Sequence, residues 1–248
     1  AEKESRKWLS SYRAVAEVQR LCSATRLVSV GDREANLYAL FHEASPEASN
    51  PKLLVRAERT RNRKVEQQPV WAKMSTEPVA GWLDVRVPRR GSRPARTARV
   101  QVRFAPVVLT APKGSQLPPV RVWAVYAREV GHGAAVTDPL EWMLLTTVET
   151  ESFEQARERL AWYSRRWGIE VYHRTVKSGC RIQDRRLDDA DSLEACLAID
   201  LVVAWRVYWL TMAGRERPDL PCDQFLSEEE WWVLSAWATG KMADTPPR

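Results

Sequence analysis

Several things are scarce in this 248-residue chain. Its four cysteines (Cys22, Cys180, Cys196 and Cys222) are scattered, with no C-x-x-C pair. That argues against a zinc site or a disulfide framework and for a reduced, cytosolic setting. No uninterrupted run of ~18 apolar residues occurs, so no membrane span is expected. Residues 1–30 are charged and lack an apolar signal core, which argues against secretion. Internal repeats and low-complexity segments are absent. Lysine is also scarce: 8 of the 38 basic residues are lysine and 30 are arginine.

What is present points elsewhere. The chain is 44% hydrophobic, enough for a real core, and its net charge is +6 with a pI near 9.3. Arginine binds phosphate bidentately and stacks on rings. A basic chain with 12 tryptophans therefore suggests nucleic acid. A GC-rich genome also raises arginine use, so composition points without deciding.

The hydrophobic pattern predicts an amphipathic helix over 2–21, a short strand "RLVSV" (26–30) and a helix within "GDREANLYALFHEA" (31–44). Strand, Gly-Asp turn and helix make an α/β unit. From Pro51 the texture turns to proline and β-branched residues. Strands are expected at 52–58, 82–88, 98–104, 106–111, 120–130 and 141–147, with turns at 89–94 and 112–119. This predicts an antiparallel β insertion within one α/β domain, "EWMLLTT" rejoining the parent sheet. Helices return from Ser152, with a break near Gly168. The segment 192–214 is apolar nearly all round and is expected to be buried. A last helix over 226–240 has a serine N-cap and an acidic first turn.

In "YSRRWGIEVYHRTVKSG" (163–179), a helical 100° per residue puts Tyr163, Arg166, Glu170 and Lys177 within an arc of about 60°. Trp162, Ile169, Tyr172 and Val176 fall on the far side, as a packing face. A surface ion pair between Arg166 and Glu170 would satisfy that polar arc. Asp32, where a strand's C-terminal end is expected to meet a helix, stands at the usual functional place of an open α/β sheet; an ordinary helix N-cap would also explain it. Two carboxylates on separate elements can hold Mg²⁺, which favours one or two carboxylates plus substrate phosphates. Such ions clamp an in-line phosphoryl displacement, and the basic chain grips the DNA backbone.

At these residues the chain resembles the transposases of bacterial cut-and-paste insertion sequences, and within them the branch containing the Tn-five transposase. That branch carries the signature Y-x2-R-x3-E-x6-K, matched here by Tyr163, Arg166, Glu170 and Lys177. "GDREAN" (31–36) resembles the segment around the branch's second catalytic aspartate, giving Asp32. "NPKLLVR" resembles a strand ending in a DNA-contacting arginine, here Arg56. "SRPAR" (92–96) and "PLEWMLLTT" (139–147) resemble further branch segments, and the likeness spans about residues 25 to 240.

The resemblance implies an α/β, ribonuclease H-like transposase core that is incomplete, its first strands missing, and interrupted by the β insertion. Its parts would be 1–50 and 139–214 (core), 51–138 (insertion) and 215–248 (C-terminal helix and tail). It implies Asp32 and Glu170 as catalytic ligands of Mg²⁺, with Mn²⁺ as a substitute. Arg166 and Lys177 would hold phosphates near the scissile bond, Tyr163 would touch the transposon-end backbone, and Trp142 would stack on a flipped base, unless it is simply a core tryptophan. Water and then a DNA 3′-hydroxyl would be the nucleophiles. The partners implied are transposon-end double-stranded DNA and target DNA, with a homodimer for the full-length parent, no membrane, and a place in the bacterial cytoplasm at the nucleoid.

Two departures carry expectations. Glu58 stands where the branch often has lysine, weakening DNA contact there. No aspartate occurs in residues 1–31, where the strand bearing the first catalytic aspartate would precede Asp32. These 248 residues are therefore expected to be a fragment with an unpaired, apolar strand edge, marginal stability, weak Mg²⁺ binding and little strand transfer. The alternative is a decayed or domesticated remnant that only binds DNA or partner chains. A β-rich nucleic-acid-binding module over 52–130 leaves the Tyr163–Lys177 spacing unexplained.

Overall fold

A computed structural model describes residues 4–45, 49–61, 63–87, 94–131, 133, 136–241 and 244–247. The chain is mixed α/β and divides into two compact units, Ala1–Arg166 and Trp167–Arg248.

The first unit runs α1 (Glu4–Leu21), β1 (Val28–Gly31), α2 (Tyr38–Glu43), β2 (Lys52–Arg56), β3 (Lys64–Val65), β4 (Gln68–Pro69), α3 (Val70–Thr76), β5 (Gly81–Val87), β6 (Arg96–Leu109), β7 (Val120–Glu129), β8 (Glu141–Thr146) and α4 (Phe153–Ser164). Its strands form one mixed sheet in the order β1-β2-β8-β7-β6-β3-β4, with β5 also paired to β6. β1 and β2 are parallel, with Gly31 opposite Val55. β8 joins β2 antiparallel, with Arg56 opposite Leu144. β1 ends that order, so its outer edge carries no strand among the described residues.

Alternation along the strands builds two cores. Leu53 and Val55, Ala124 and Tyr126, and Met143 and Leu145 face one cluster, which α1, α2 and α3 complete through Tyr12, Phe41 and Met74. Leu54, Val125, Ala127 and Leu144 face the other, closed by Ala156, Leu160 and Tyr163 of α4. Central strands buried on both faces lose the polar alternation of a half-exposed sheet. That is why "KLLVR" and "EWMLLT" read as continuous apolar runs. Each fully buried leucine among them contributes about 1.5–3 kcal/mol. The end of β8 is also tied to β2 by polar groups: Thr146 Oγ1 donates to the Leu53 carbonyl (2.7 Å), and Thr147 Oγ1 accepts from the Leu53 N–H (2.9 Å).

Three local expectations need correction. The helix expected within 31–44 covers only Tyr38–Glu43, because 32–37 is held as a turn by side chains described below. The two strands expected at 98–104 and 106–111 are the single strand β6. Pro106 lies between the β5 pairing, which ends at Val102, and the β3 pairing at Leu109. There β6 has one neighbouring strand, the setting in which proline is tolerated. The short β3–β4 hairpin and α3 were not foreseen. The expected turn at 89–94 lies almost wholly outside the described residues.

The second unit contains α5 (Gly168–Arg174), a π-helical turn (Thr175–Gly179), α6 (Ala190–Glu216) and α7 (Glu228–Thr239). A 3-10 turn, Arg165–Trp167, leads into it. Gly168 sits where a Cβ would lie 2.1 Å from the Tyr208 hydroxyl of α6, so the approach requires glycine. α7 is capped as expected, Ser227 and Glu230 forming a reciprocal capping box and Gly240 closing the C-terminus at φ 72°.

α6 overturns an expectation. Only Asp200 and Ala204 are buried along its 27 residues, and Ile199 and Val202 are 66% and 67% exposed. A helix that is apolar all round is covered only if neighbours surround it, and the short elements of this unit line a small part of its surface. By length and composition α6 is also long and apolar enough to cross a membrane. Asp200, ion-paired to Arg185 at 2.9 Å, interrupts its apolar sequence.

Candidate functional site

The site residues of the first unit lie around the C-terminal ends of the parallel strands β1 and β2. β1 ends at Gly31, and a Cβ there would meet the Ala35 Cβ at 2.3 Å. The chain thus folds back at once, which requires glycine on steric grounds. Asp32 follows, half-buried. It is not a helix cap: its Oδ1 accepts the Glu34 N–H at 2.8 Å, and the residue capping α2 is Leu37. Two arginines from the loop after β2 fix the far side of this turn. Arg61 and Arg63 both donate to the carbonyl of fully buried Asn36, at 2.7 and 2.5 Å.

Beside this turn opens a cavity of about 820 Å³. Its lining includes Arg33, Arg56, Arg59 and Arg128, the rings of Trp71, Tyr126 and Trp142, and the carboxylates of Asp138 and Glu141. Arg56, at the end of β2, donates to the Glu141 carbonyl at 3.1 Å. The Glu141 carboxylate organises one wall. It accepts from the Tyr126 hydroxyl at 2.6 Å and from Arg59 Nη2 at 3.1 Å through both oxygens. Arg59 lies 4.5 Å over the Trp71 ring, which meets Tyr126 edge-on. Burial, reinforced by the Glu141 hydrogen bond and charge, pushes the Tyr126 hydroxyl up to about 12. Tyr126 therefore stays a neutral donor at physiological pH.

Trp142 opens onto the cavity from β8, and its other side meets Tyr163 edge-to-face at 5.5 Å. Tyr163 is buried in the second core, and Arg166 lies 6.0 Å over its ring. Arg56, Trp142, Tyr163 and Arg166 thus form a connected set in the first unit, with Asp32 adjoining through Arg33.

The Tyr-Arg-Glu-Lys segment is not one straight helix. Tyr163 ends α4, Arg166 lies in the 3-10 turn, Glu170 is in α5 and Lys177 is in the π-helical turn. Uniform 100° spacing does not carry across those changes of pitch. Ile169, expected on the packing face, is 46% exposed. Tyr163 and Arg166 belong to the first unit, Glu170 and Lys177 to the second. Glu170 is half-buried and Lys177 exposed.

A carboxylate oxygen is the ligand type a hard cation takes. Asp32 is a half-buried carboxylate with one oxygen engaged by the turn. Mg²⁺ is ordinarily held by one or two such groups, with substrate phosphates completing its shell. Among the described residues, no group of three or more His, Cys, Asp or Glu side chains is placed to hold a metal ion.

Sequence reasoning named Arg56 and Trp142 but missed Arg33, Arg59, Arg128, Trp71, Tyr126 and Glu141. A signal existed for Tyr126 and Arg128: they lie on β7, the hairpin partner of the strand that carries Trp142, with Ala127 opposite Trp142. Trp71 lies on a helix the sequence gave no sign of. No family model matches the sequence.

Proposed function

We propose that the chain is the catalytic-core portion of a cut-and-paste DNA transposase, on a ribonuclease H-like core, acting by phosphoryl transfer at transposon ends. The observation that carries this reading is the place of Asp32. It follows the strand end of a parallel pair, beside an arginine-lined, tryptophan-walled cavity, in a chain that also has the Tyr163–Arg166–Glu170–Lys177 spacing. The parallel β1–β2 pair within a mixed sheet covered by helices on both faces supports the ribonuclease H-like assignment.

In this account Arg33, Arg56 and Arg128 bind the DNA backbone. Trp142, braced from behind by Tyr163, offers its face to an unstacked base, where aromatic stacking is worth about 1–3 kcal/mol. Arg166 and Lys177 bind phosphates near the scissile bond. Asp32 and Glu170 would hold Mg²⁺, which when bound activates the attacking oxygen and stabilises the leaving one. Tyr126, kept neutral, donates to Glu141 and fixes the cavity wall.

A second reading, a chain that binds DNA without cutting it, rests on the arginine-lined cavity alone. Nicking of supercoiled plasmid in Mn²⁺ separates the two. The catalytic reading expects weak, metal-dependent nicking, abolished by Asp32→Asn and by Glu170→Gln with DNA binding retained. DNA binding with no metal-dependent nicking assigns the non-catalytic role. Failure to bind duplex DNA contradicts both.

A further inference from the structure

A second cavity, of about 550 Å³, lies in the first unit at the base of the β3–β4 hairpin. Its lining is unusual in charge. Arg61, Arg63, Lys64 and Lys113 contribute cations, Gln67 and Thr110 contribute neutral polar groups, and no carboxylate lines it. Among the described residues none of the four cations forms an ion pair. The two arginines are held in place by neutral acceptors. Arg63 Nε donates to Asn36 Oδ1 at 3.0 Å, and both guanidiniums converge on the Asn36 carbonyl. The Thr110 N–H donates to the Lys64 carbonyl at 3.0 Å, locking the two sides of the cavity together. Burial and, next, the neighbouring Arg61 hold Arg63 below its ordinary pKa. A partly buried cation, Arg63, thus stands beside the exposed Arg61, Lys64 and Lys113 with no counter-charge among the lining residues.

Such crowding costs free energy unless an anion relieves it. The guanidinium N–H groups that Asn36 and Glu34 leave unused, with two exposed ammonium groups, can meet the oxygens of a phosphate. The volume lies in the range of small-ligand pockets, about 300–1,000 Å³.

We infer that this cavity is a phosphate-binding site, distinct from the one lined by Arg56 and Trp142, with Arg61 and Arg63 as its fixed anchors and Lys64 and Lys113 as its closing charges. The phosphate is either a backbone phosphodiester of nucleic acid or a free polyphosphate. The chemistry is shared, and the experiment distinguishes the sources.

The test is lysine acetylation footprinting of the full chain without divalent metal, read by mass spectrometry, with inorganic pyrophosphate and a short DNA duplex as separate probes. Lys73, paired with Glu77 at 3.1 Å, is the internal control. Lys177 reports separately on the proposed catalytic segment, so failure there and failure here are distinguishable. The expected result is at least about fivefold slower acetylation of Lys64 and Lys113 with pyrophosphate, Lys73 unchanged, and loss of that protection in Arg61→Ala. Arg61 is exposed, so its truncation opens no core cavity, although it releases hydrogen bonds to the Glu34 and Asn36 carbonyls, the Asn36 bond being shared with Arg63. Circular dichroism of the variant checks this. Protection by duplex as well, with the salt slope of duplex binding lowered by about 0.9 in Arg61→Ala, assigns the site to a nucleic-acid backbone. Protection by pyrophosphate alone assigns it to a free polyphosphate. No protection by either probe, or equal protection in folded Arg61→Ala, overturns the inference.

Discussion

Glu141→Gln should move stability and DNA binding in opposite directions. The substitution preserves shape and keeps an oxygen for the Tyr126 hydroxyl, which the carboxylate accepts at 2.6 Å. What it removes is the charge facing Arg59. That ion pair is open to solvent, with side-chain exposures of 64% and 30%, so its loss costs at most about 1 kcal/mol. In a unit of this size that lowers Tm by about 2–4 °C. The same change frees the Arg59 guanidinium, already oriented over Trp71, to meet a phosphate. A charge-assisted hydrogen bond is worth about 1.5–3 kcal/mol, and ordering the side chain offsets part of it. The expected gain is roughly tenfold in duplex affinity at low salt, with log K against log salt steeper by about 0.9. Fluorescence anisotropy of a labelled duplex between about 50 and 200 mM salt reads both quantities. The Tyr126 pKa should fall from about 12 but stay above the ordinary tyrosine value, because burial is the larger cause. Affinity that falls with stability, or an unchanged slope, would refute the idea that Glu141 screens a phosphate-binding arginine.

Other outcomes follow from single contacts. Gly31→Ala places a Cβ 2.3 Å from the Ala35 Cβ. It should destabilise by about 1–3 kcal/mol in thermal denaturation, and Ala35→Gly added to it should restore most of the loss. Ser227→Ala breaks the capping box of α7 and should cost about 1 kcal/mol, read as lost helicity. Raising the pH should destabilise the fold through its buried tyrosines. Tyr12 and Tyr126 both have raised pKa values, burial being the first cause. Their stabilisation is complete below the ordinary tyrosine pKa of ~10 and is lost as pH rises through their folded values, about 12 for Tyr126 and higher for Tyr12. Denaturant midpoints across that window should fall, and fall less in the Tyr12→Phe/Tyr126→Phe double variant.

Much of the architecture was legible because hydrophobic period reports burial directly. β1, β2, β7, β8 and α7 lie within a few residues of where alternation, apolar runs and capping residues place them. The misses have local causes. The β3–β4 turn uses Glu66 and Gln67 at φ 49° and 70°, a left-handed conformation that sequence reading associates with Gly or Asn. The turn at 32–37 is fixed by Arg61 and Arg63, roughly 25 residues away in sequence, so no local pattern announces it. The apolar sequence of α6 predicts burial, yet covering it depends on neighbours that the periodicity of one helix does not describe. For the site, chemistry-bearing residues could be named one at a time. The cavity that gathers Arg33, Arg59 and Arg128 around Trp142 arises from tertiary pairing.

The central proposal is that Asp32 and Glu170 are each metal ligands. Fe²⁺-directed hydroxyl-radical cleavage of the full chain, in the presence of duplex DNA, tests it most directly. Backbone cuts are expected near residue 32 and near residue 170, both suppressed by excess Mg²⁺, the first lost in Asp32→Asn and the second in Glu170→Gln. Cuts at neither position, or cuts that survive both Asp32→Asn and Glu170→Gln, would contradict it.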